Sequence, residues 1–166
     1  MANPFERMVK VFFYQSDGPP TKLLFTLLEK SRSQDWNILL SCSDQNEVEF
    51  LHEQLWVQPD NRFVGIGVAG SEFDQFQPVL LSDKFLLAND PQVMIATGNS
   101  TIEPDIVDKF TRIMVVFNQN DQKELVASRE KWKLLSGLGH HMQLYCQDRN
   151  GWTLKAEANQ EKNEVN

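Results

Sequence analysis

The chain has 166 residues, 41% of them hydrophobic, and a formal net charge of −7. That length and apolar content suit one domain with a real core and exclude bulk disorder. The acidic balance argues against broad electrostatic binding to nucleic acid, though not against a small basic patch, and no apolar run approaches the roughly 18 residues of a membrane helix.

Read in chain order, two periodicities alternate. Residues 8–15, MVKVFFYQ, are β-branched and aromatic and predict a strand. Asp17-Gly18-Pro19-Pro20 makes a turn, after which Leu23, Leu24, Leu27 and Leu28 share one face of a helix. Trp36 to Cys42 is a short apolar strand, and Ser43 is the expected N-cap of a helix whose first turn holds Asp44 and Glu47. Val48, Leu51, His52 and Leu55 line that helix, which stops at Trp56. Arg62 to Val68 is extended, and Pro78 to Ser82, Gln92 to Thr97 and Arg112 to Phe117 are further strands. Asp121 to Leu135 is a helix closed by Ser136-Gly137 and Gly139, and His140 to Cys146 is the last strand expected. The residues after Leu154 are polar, giving one α/β domain over 1–154 and a tail over 155–166 expected to be disordered. Alternating strands and helices point to an α/β sandwich with a largely parallel sheet, and the fully apolar strands fit burial on both faces.

The sequence offers no catalytic constellation. GIGVAG, Gly65 to Gly70, matches G-x-G-x-x-G in form, but that motif needs a helix immediately after it to face a pyrophosphate. Here SEFDQFQP follows, and Pro78 leaves no room for a useful helix. His140 and His141 are strand neighbours that point to opposite faces, so a shared metal is disfavoured, and only His52 remains elsewhere. Ser100 and Cys42 lack an evident base. No cofactor is expected. The two cysteines, Cys42 and Cys146, give no disulfide framework, and MANPFERMVK lacks the basic-then-apolar order of a secretory signal, so a reducing cytoplasm is the expected setting.

Two segments carry more information. In LHEQLWVQPDNRF, Trp56 ends a helix, Pro59 follows, and Phe63 enters the next extended run, so large aromatics sit at the rim of an element. In DQKELVASREKWKLL, the cations Lys123, Arg129, Lys131 and Lys133 accompany Trp132. Arg129 and Trp132 are three residues apart and share a face, with Lys133 close by. That helix reads either as a solvated face whose cations complement its dipole, with Trp132 in the core, or as an apolar slot rimmed by cations. Such a slot suits an acidic peptide or a free chain terminus.

Phe13-Tyr14, Leu55-Trp56, Phe63, Arg129, Trp132-Lys133 and Gly139, in this order and spacing, resemble the chi subunit family of bacterial DNA polymerase III over about residues 9–153. The resemblance implies a Rossmann-like three-layer fold with no nucleotide-binding loop and no activity of its own. It implies a clamp-loader accessory subunit that joins the assembly through a small psi subunit and binds the acidic, Phe-ended C-terminal tail of single-strand DNA-binding protein, touching DNA only indirectly. Carried over by position, Phe63, with Trp56 and Pro59 beside it, matches the psi-facing surface. Arg129 matches the tail-binding arginine, Trp132 an aromatic position and Lys133 a basic one. Lys123 falls near a further basic position, where Leu125 aligns instead. Val64-Gly65-Ile66-Gly67 replaces the family's usual Pro-His-Gly stretch after the Phe. The competing expectation is a Rossmann-like nucleotide or sugar-phosphate transferase with diverged motifs. A thermal shift with nucleotides, against one with a Phe-ended acidic peptide, separates the two.

Overall fold

A computed structural model describes residues 8–57 and 65–160. Its elements follow the alternating apolar patterns: β1 (Lys10–Ser16), α1 (Thr21–Ser33), β2 (Ile38–Ser41), α2 (Gln45–Trp56), β3 (Ile66–Val68), β4 (Val79–Ser82), β5 (Val93–Thr97), β6 (Arg112–Asn118), α3 (Gln122–Gly137), β7 (His141–Asp148) and β8 (Gly151–Ala158). Short 3-10 helices at Asp74–Phe76 and Pro104–Lys109 complete the described chain. The strands form one sheet in the order β3-β4-β2-β5-β6-β1-β7-β8. Every neighbouring pair is parallel except β7 and β8, which form an antiparallel hairpin.

The apolar runs are buried because the sheet is covered on both faces. Leu24, Leu27 and Leu28 of α1 and Val48, Leu51 and Leu55 of α2 pack on Ile38, Leu40, Val79, Leu81 and Ile95. On the other face Leu135 of α3 joins Val107 and Phe110 against Val11, Phe13, Leu39, Met94, Ile113 and Val115. Alternate residues of β1 therefore serve different layers, Phe12 and Tyr14 one and Val11 and Phe13 the other. The result is the expected three-layer α/β sandwich.

Three local expectations change. The N-cap of α2 is Asp44, not Ser43: its carboxylate accepts from the Glu47 N–H at 2.8 Å. The Glu47 side chain reaches back in turn and accepts from the Ser43 N–H at 2.8 Å, so the two carboxylates exchange bonds around the first turn. Second, β7 is not the last strand. Arg149 and Asn150 form the two-residue loop between β7 and β8, and Gly151, at φ +108° and paired with Asp148, opens β8. Third, the boundary expected at residue 154 cuts through β8. Lys155 to Ala158 continue the ladder to Met142, and their polarity reflects a half-exposed edge strand rather than a tail.

GIGVAG enters β3 and then the three-residue 3-10 helix Asp74–Phe76, so no α-helix N-terminus faces it. Gly65 is there for another reason: at φ +98°, an added Cβ would lie 2.6 Å from Pro78 Cδ.

Candidate functional site

α3 presents its functional residues because its start and stop are both fixed. The Asp121 carboxylate accepts from the N–H groups of Lys123 and Glu124 at 3.0 and 3.2 Å, and Gly139, at φ +90°, takes the chain out of the helix. Leu135 is then fully buried, and Leu125, Ser128, Arg129 and Trp132 fall on the flank of the helix next to β1 and β7.

Between that flank and the sheet lies a cavity of about 340 Å³. Phe13, Phe117, Leu125, Trp132, Leu144 and Ala156 form its apolar walls, and Gln15, Ser128, Arg129 and Lys133 supply its polar groups. The Trp132 ring stands edge-on to Phe13, 5.3 Å between centroids at 72°, which fixes one wall. Arg129 and Lys133 are exposed at the mouth, and among the described residues no carboxylate lines the cavity. Neither cation has an ion-pair partner among the described residues. The hydroxyl of Ser128 is buried and without a hydrogen-bond partner there.

The structure thus brings together Arg129, Trp132 and Lys133, but not Lys123. Lys123 is six residues from Arg129 and lies against Val126, Ala127 and Glu130 on another strip of α3. Its proximity in sequence to a basic position does not become proximity in space, because a helix turns about 100° per residue. Lys131, counted among the helix cations, is buried, and its ammonium donates to the Gly98 carbonyl. Ser128, Leu144 and Ala156 escape the sequence reading. Ser128 carries a signal in its three-residue spacing from Leu125 and Lys131, but Leu144 and Ala156 reach the site only through strand order.

At the opposite rim, Trp56 is 50% exposed and its indole N–H donates to His52 Nε2 at 2.8 Å. Leu51 and Leu55 are core, as their spacing predicts, while Val57, next to Trp56, and Phe50, further back on α2, are exposed. Phe63 and Pro59 lie outside the described residues.

The crevice where doubly wound folds hold nucleotides, outside the carboxyl ends of strands at a switch point, falls here between β2 and β5. It is filled by acid. Glu47 accepts from the Thr97 hydroxyl, and Glu124 packs on Gly98 so closely that a Cβ there would lie 2.8 Å from it. Burial, then the neighbouring charges of Asp121 and Glu47, push Glu124 up to about 7. Burial brings Lys131 down to about 8 against the pull of Glu124, Glu130 and Glu47. Burial, with Glu47, Asp83 and Asp44 nearby, raises the Cys42 thiol well above its ordinary range, which disfavours the thiolate. A phosphate placed there would meet carboxylates. Ser100 donates to the Thr97 carbonyl at 2.8 Å. His140 Nδ1 accepts from the Val9 N–H, while His141 Nε2 lies 3.5 Å from Glu157, so the two histidines serve different neighbours. Among the described residues no group of three His, Cys, Asp or Glu side chains could hold a metal, and no helix is long and apolar enough to cross a membrane.

Fold and site together define a Rossmann-like α/β domain with an acid-filled nucleotide crevice and a cation-rimmed apolar slot beside its last helix. The chain belongs to the DNA polymerase III chi subunit family: residues 8–143 match the family described as "DNA polymerase III chi subunit, HolC". By that membership it is a replication accessory subunit within a DNA polymerase III complex. The match ends inside β7, so Leu144 and Ala156 of the slot come from beyond it. A comparison with curated proteins finds no match.

Proposed function

We propose that the chain is a non-catalytic, cytoplasmic adaptor that joins the clamp-loader assembly to the acidic C-terminal tail of single-strand DNA-binding protein. The observation that carries this reading is the 340 Å³ slot, with Trp132 in its wall and, among the described residues, two unpaired cations at its mouth and no carboxylate in its lining. The terminal aromatic of the tail occupies the slot against Trp132 and Phe13. Arg129 pairs with the terminal carboxylate and Lys133 adds charge. Acidic residues upstream of the terminus run across the cationic mouth. Lys123 has no part in the slot.

The second surface of the proposal is the end of α2. Exposed Trp56 and Val57 offer apolar surface of the sort that partners cover, and this surface, with Phe63 and Pro59 as the resemblance assigns them, is the one proposed for a psi-like subunit. The diverged-transferase alternative has little in its favour, since the crevice it needs is occupied by Glu47 and Glu124.

Calorimetric titration of the chain with a short acidic peptide ending in Phe tests the tail site. One or two charge-assisted hydrogen bonds of about 1.5–3 kcal/mol each and one buried ring give an affinity of about 1 μM, weakening with salt. Amidating the peptide's C-terminus removes the charge that Arg129 meets and is expected to weaken binding at least about tenfold. Equal binding of acid and amide would remove the carboxylate from the proposal.

A further inference from the structure

A second set of side chains, on the opposite face of the sheet from the slot, has no role in the adaptor function. Residues directly opposite one another in neighbouring strands share a face, and Tyr14 of β1 is opposite Tyr145 of β7, while Gln147 of β7 is opposite Trp152 of β8. The face of Phe12 and Tyr14 therefore carries an aromatic row across three strands. Tyr14 and Tyr145 stack at 5.7 Å and 18°, and Trp152 stands edge-on to Tyr14 at 5.7 Å. Trp152 is 38% exposed.

Cations border this row. Lys22 and Lys30 project from α1 with Thr26 between them, about 12 Å apart along the helix axis, and both line the hollow that holds the aromatics. Arg112, at the start of β6, holds its guanidinium 5.0 Å from the centroid of Phe12 and 5.3 Å from that of Trp36. Two hollows of about 450 and 510 Å³ share Tyr14, Leu27 and Lys30 and so run together as one groove. Among the described residues three cations and no carboxylate line it, in a chain with 23 acidic and 16 basic residues. That exclusion of acid runs against the composition and fits an anionic ligand.

A row of cations alone would suit any anion, and a row of rings alone any apolar partner. Partly exposed rings on the sheet face beside α1, flanked by cations along one side, combine base stacking with contacts to a phosphate backbone. A duplex hides the faces of its bases and a peptide has few flat groups to stack, so the chemistry selects an unpaired strand. We infer that this groove is a second binding site of the chain, for about two or three nucleotides of single-stranded nucleic acid. The site is independent of the tail slot: it lies on the other face of the sheet and takes its outermost ring, Trp152, from β8, beyond the family match.

The test is fluorescence anisotropy of a labelled oligothymidylate with the full chain at about 50 mM salt, where strand binding is strongest. Saturable binding is expected, with a log–log salt slope of about −2 from up to three phosphate contacts. Trp152→Ala, and separately the double change Lys22→Glu and Lys30→Glu, are each expected to weaken it at least about fivefold, whereas Arg129→Ala leaves it unchanged. The two lysines are exposed, so their variant reports on binding even if the tryptophan variant folds poorly. Absence of binding at low salt overturns the inference, as does binding that survives the lysine change. Thymidine monophosphate binding as tightly as the oligomer would make this a mononucleotide site, and a Phe-ended acidic peptide displacing the oligomer would make it a peptide groove; either result also overturns it.

Discussion

Replacing Arg129 with alanine is expected to lower affinity for the Phe-ended acidic peptide at least about tenfold while leaving stability unchanged. A charge-assisted, two-pronged bond from a guanidinium to a carboxylate contributes roughly 1.5–3 kcal/mol, and 1.4 kcal/mol is a factor of ten. Arg129 is exposed and packs into no core, so its truncation should shift folding by no more than about 0.5 kcal/mol. Arg129→Lys keeps the charge but loses the fork, and should retain only part of the affinity. Titration of the three proteins with one peptide, alongside their thermal melts, checks this. Undiminished affinity in the alanine variant would remove Arg129 from the site.

The second large effect is on stability. Glu47→Ala is expected to destabilise the fold by about 2–3 kcal/mol, because its carboxylate ties the start of α2 to the end of β5. It accepts from the Ser43 N–H and from the hydroxyl of Thr97, which is only 5% exposed, and its charge faces the buried Lys131 ammonium. Without it, two donors lose their acceptor and Lys131 loses one of the charges that offset its burial. For a chain of this size the melting temperature should drop by roughly 5–10 °C. Glu47→Gln keeps an acceptor oxygen of the same shape and should recover much of the loss. Urea denaturation of both variants distinguishes a hydrogen-bonded clasp from a dispensable surface acid. An alanine variant as stable as the parent would refute the clasp.

The fold was legible wherever burial imposed a pattern. ILL at 38–40, VMIA at 93–96 and IMVVF at 113–117 are apolar because helices cover both sides of the central strands, and they read as strands from composition alone. β8 was obscured because an edge strand half open to solvent keeps polar residues such as Lys155 and Glu157, which resemble a tail. Asn150 in the turn, followed by Gly151, was the one local sign of it. The N-cap of α2 was missed by one residue because Ser43 and Asp44 are both good caps, and only the backbone decides which carbonyl starts the helix.

The tail slot was half legible. Arg129, Trp132 and Lys133 lie within one turn of a single helix, so helical spacing alone joins them. Lys123 was drawn in by sequence distance and is excluded by the helical turn. The opposing wall, Phe13, Leu144 and Ala156, depends on β1 and β7 being neighbours although more than a hundred residues separate them, and no local pattern encodes that pairing. The aromatic groove was hidden for the same reason, since Tyr14, Tyr145 and Trp152 meet only through strand order.

The chain's four tryptophans stand at separate places on the surface just described: Trp132 at the slot, Trp56 at the end of α2, Trp36 and Trp152 along the groove. Their indole N–H signals in a nitrogen-15 correlation spectrum therefore report each surface individually, and titration with the Phe-ended acidic peptide tests the central claim most directly. The account predicts that the Trp132 signal moves to saturation while those of Trp56, Trp36 and Trp152 stay in place, and that Arg129→Ala suppresses the movement. A Trp132 signal that stays fixed while another tryptophan's signal follows the peptide would contradict it.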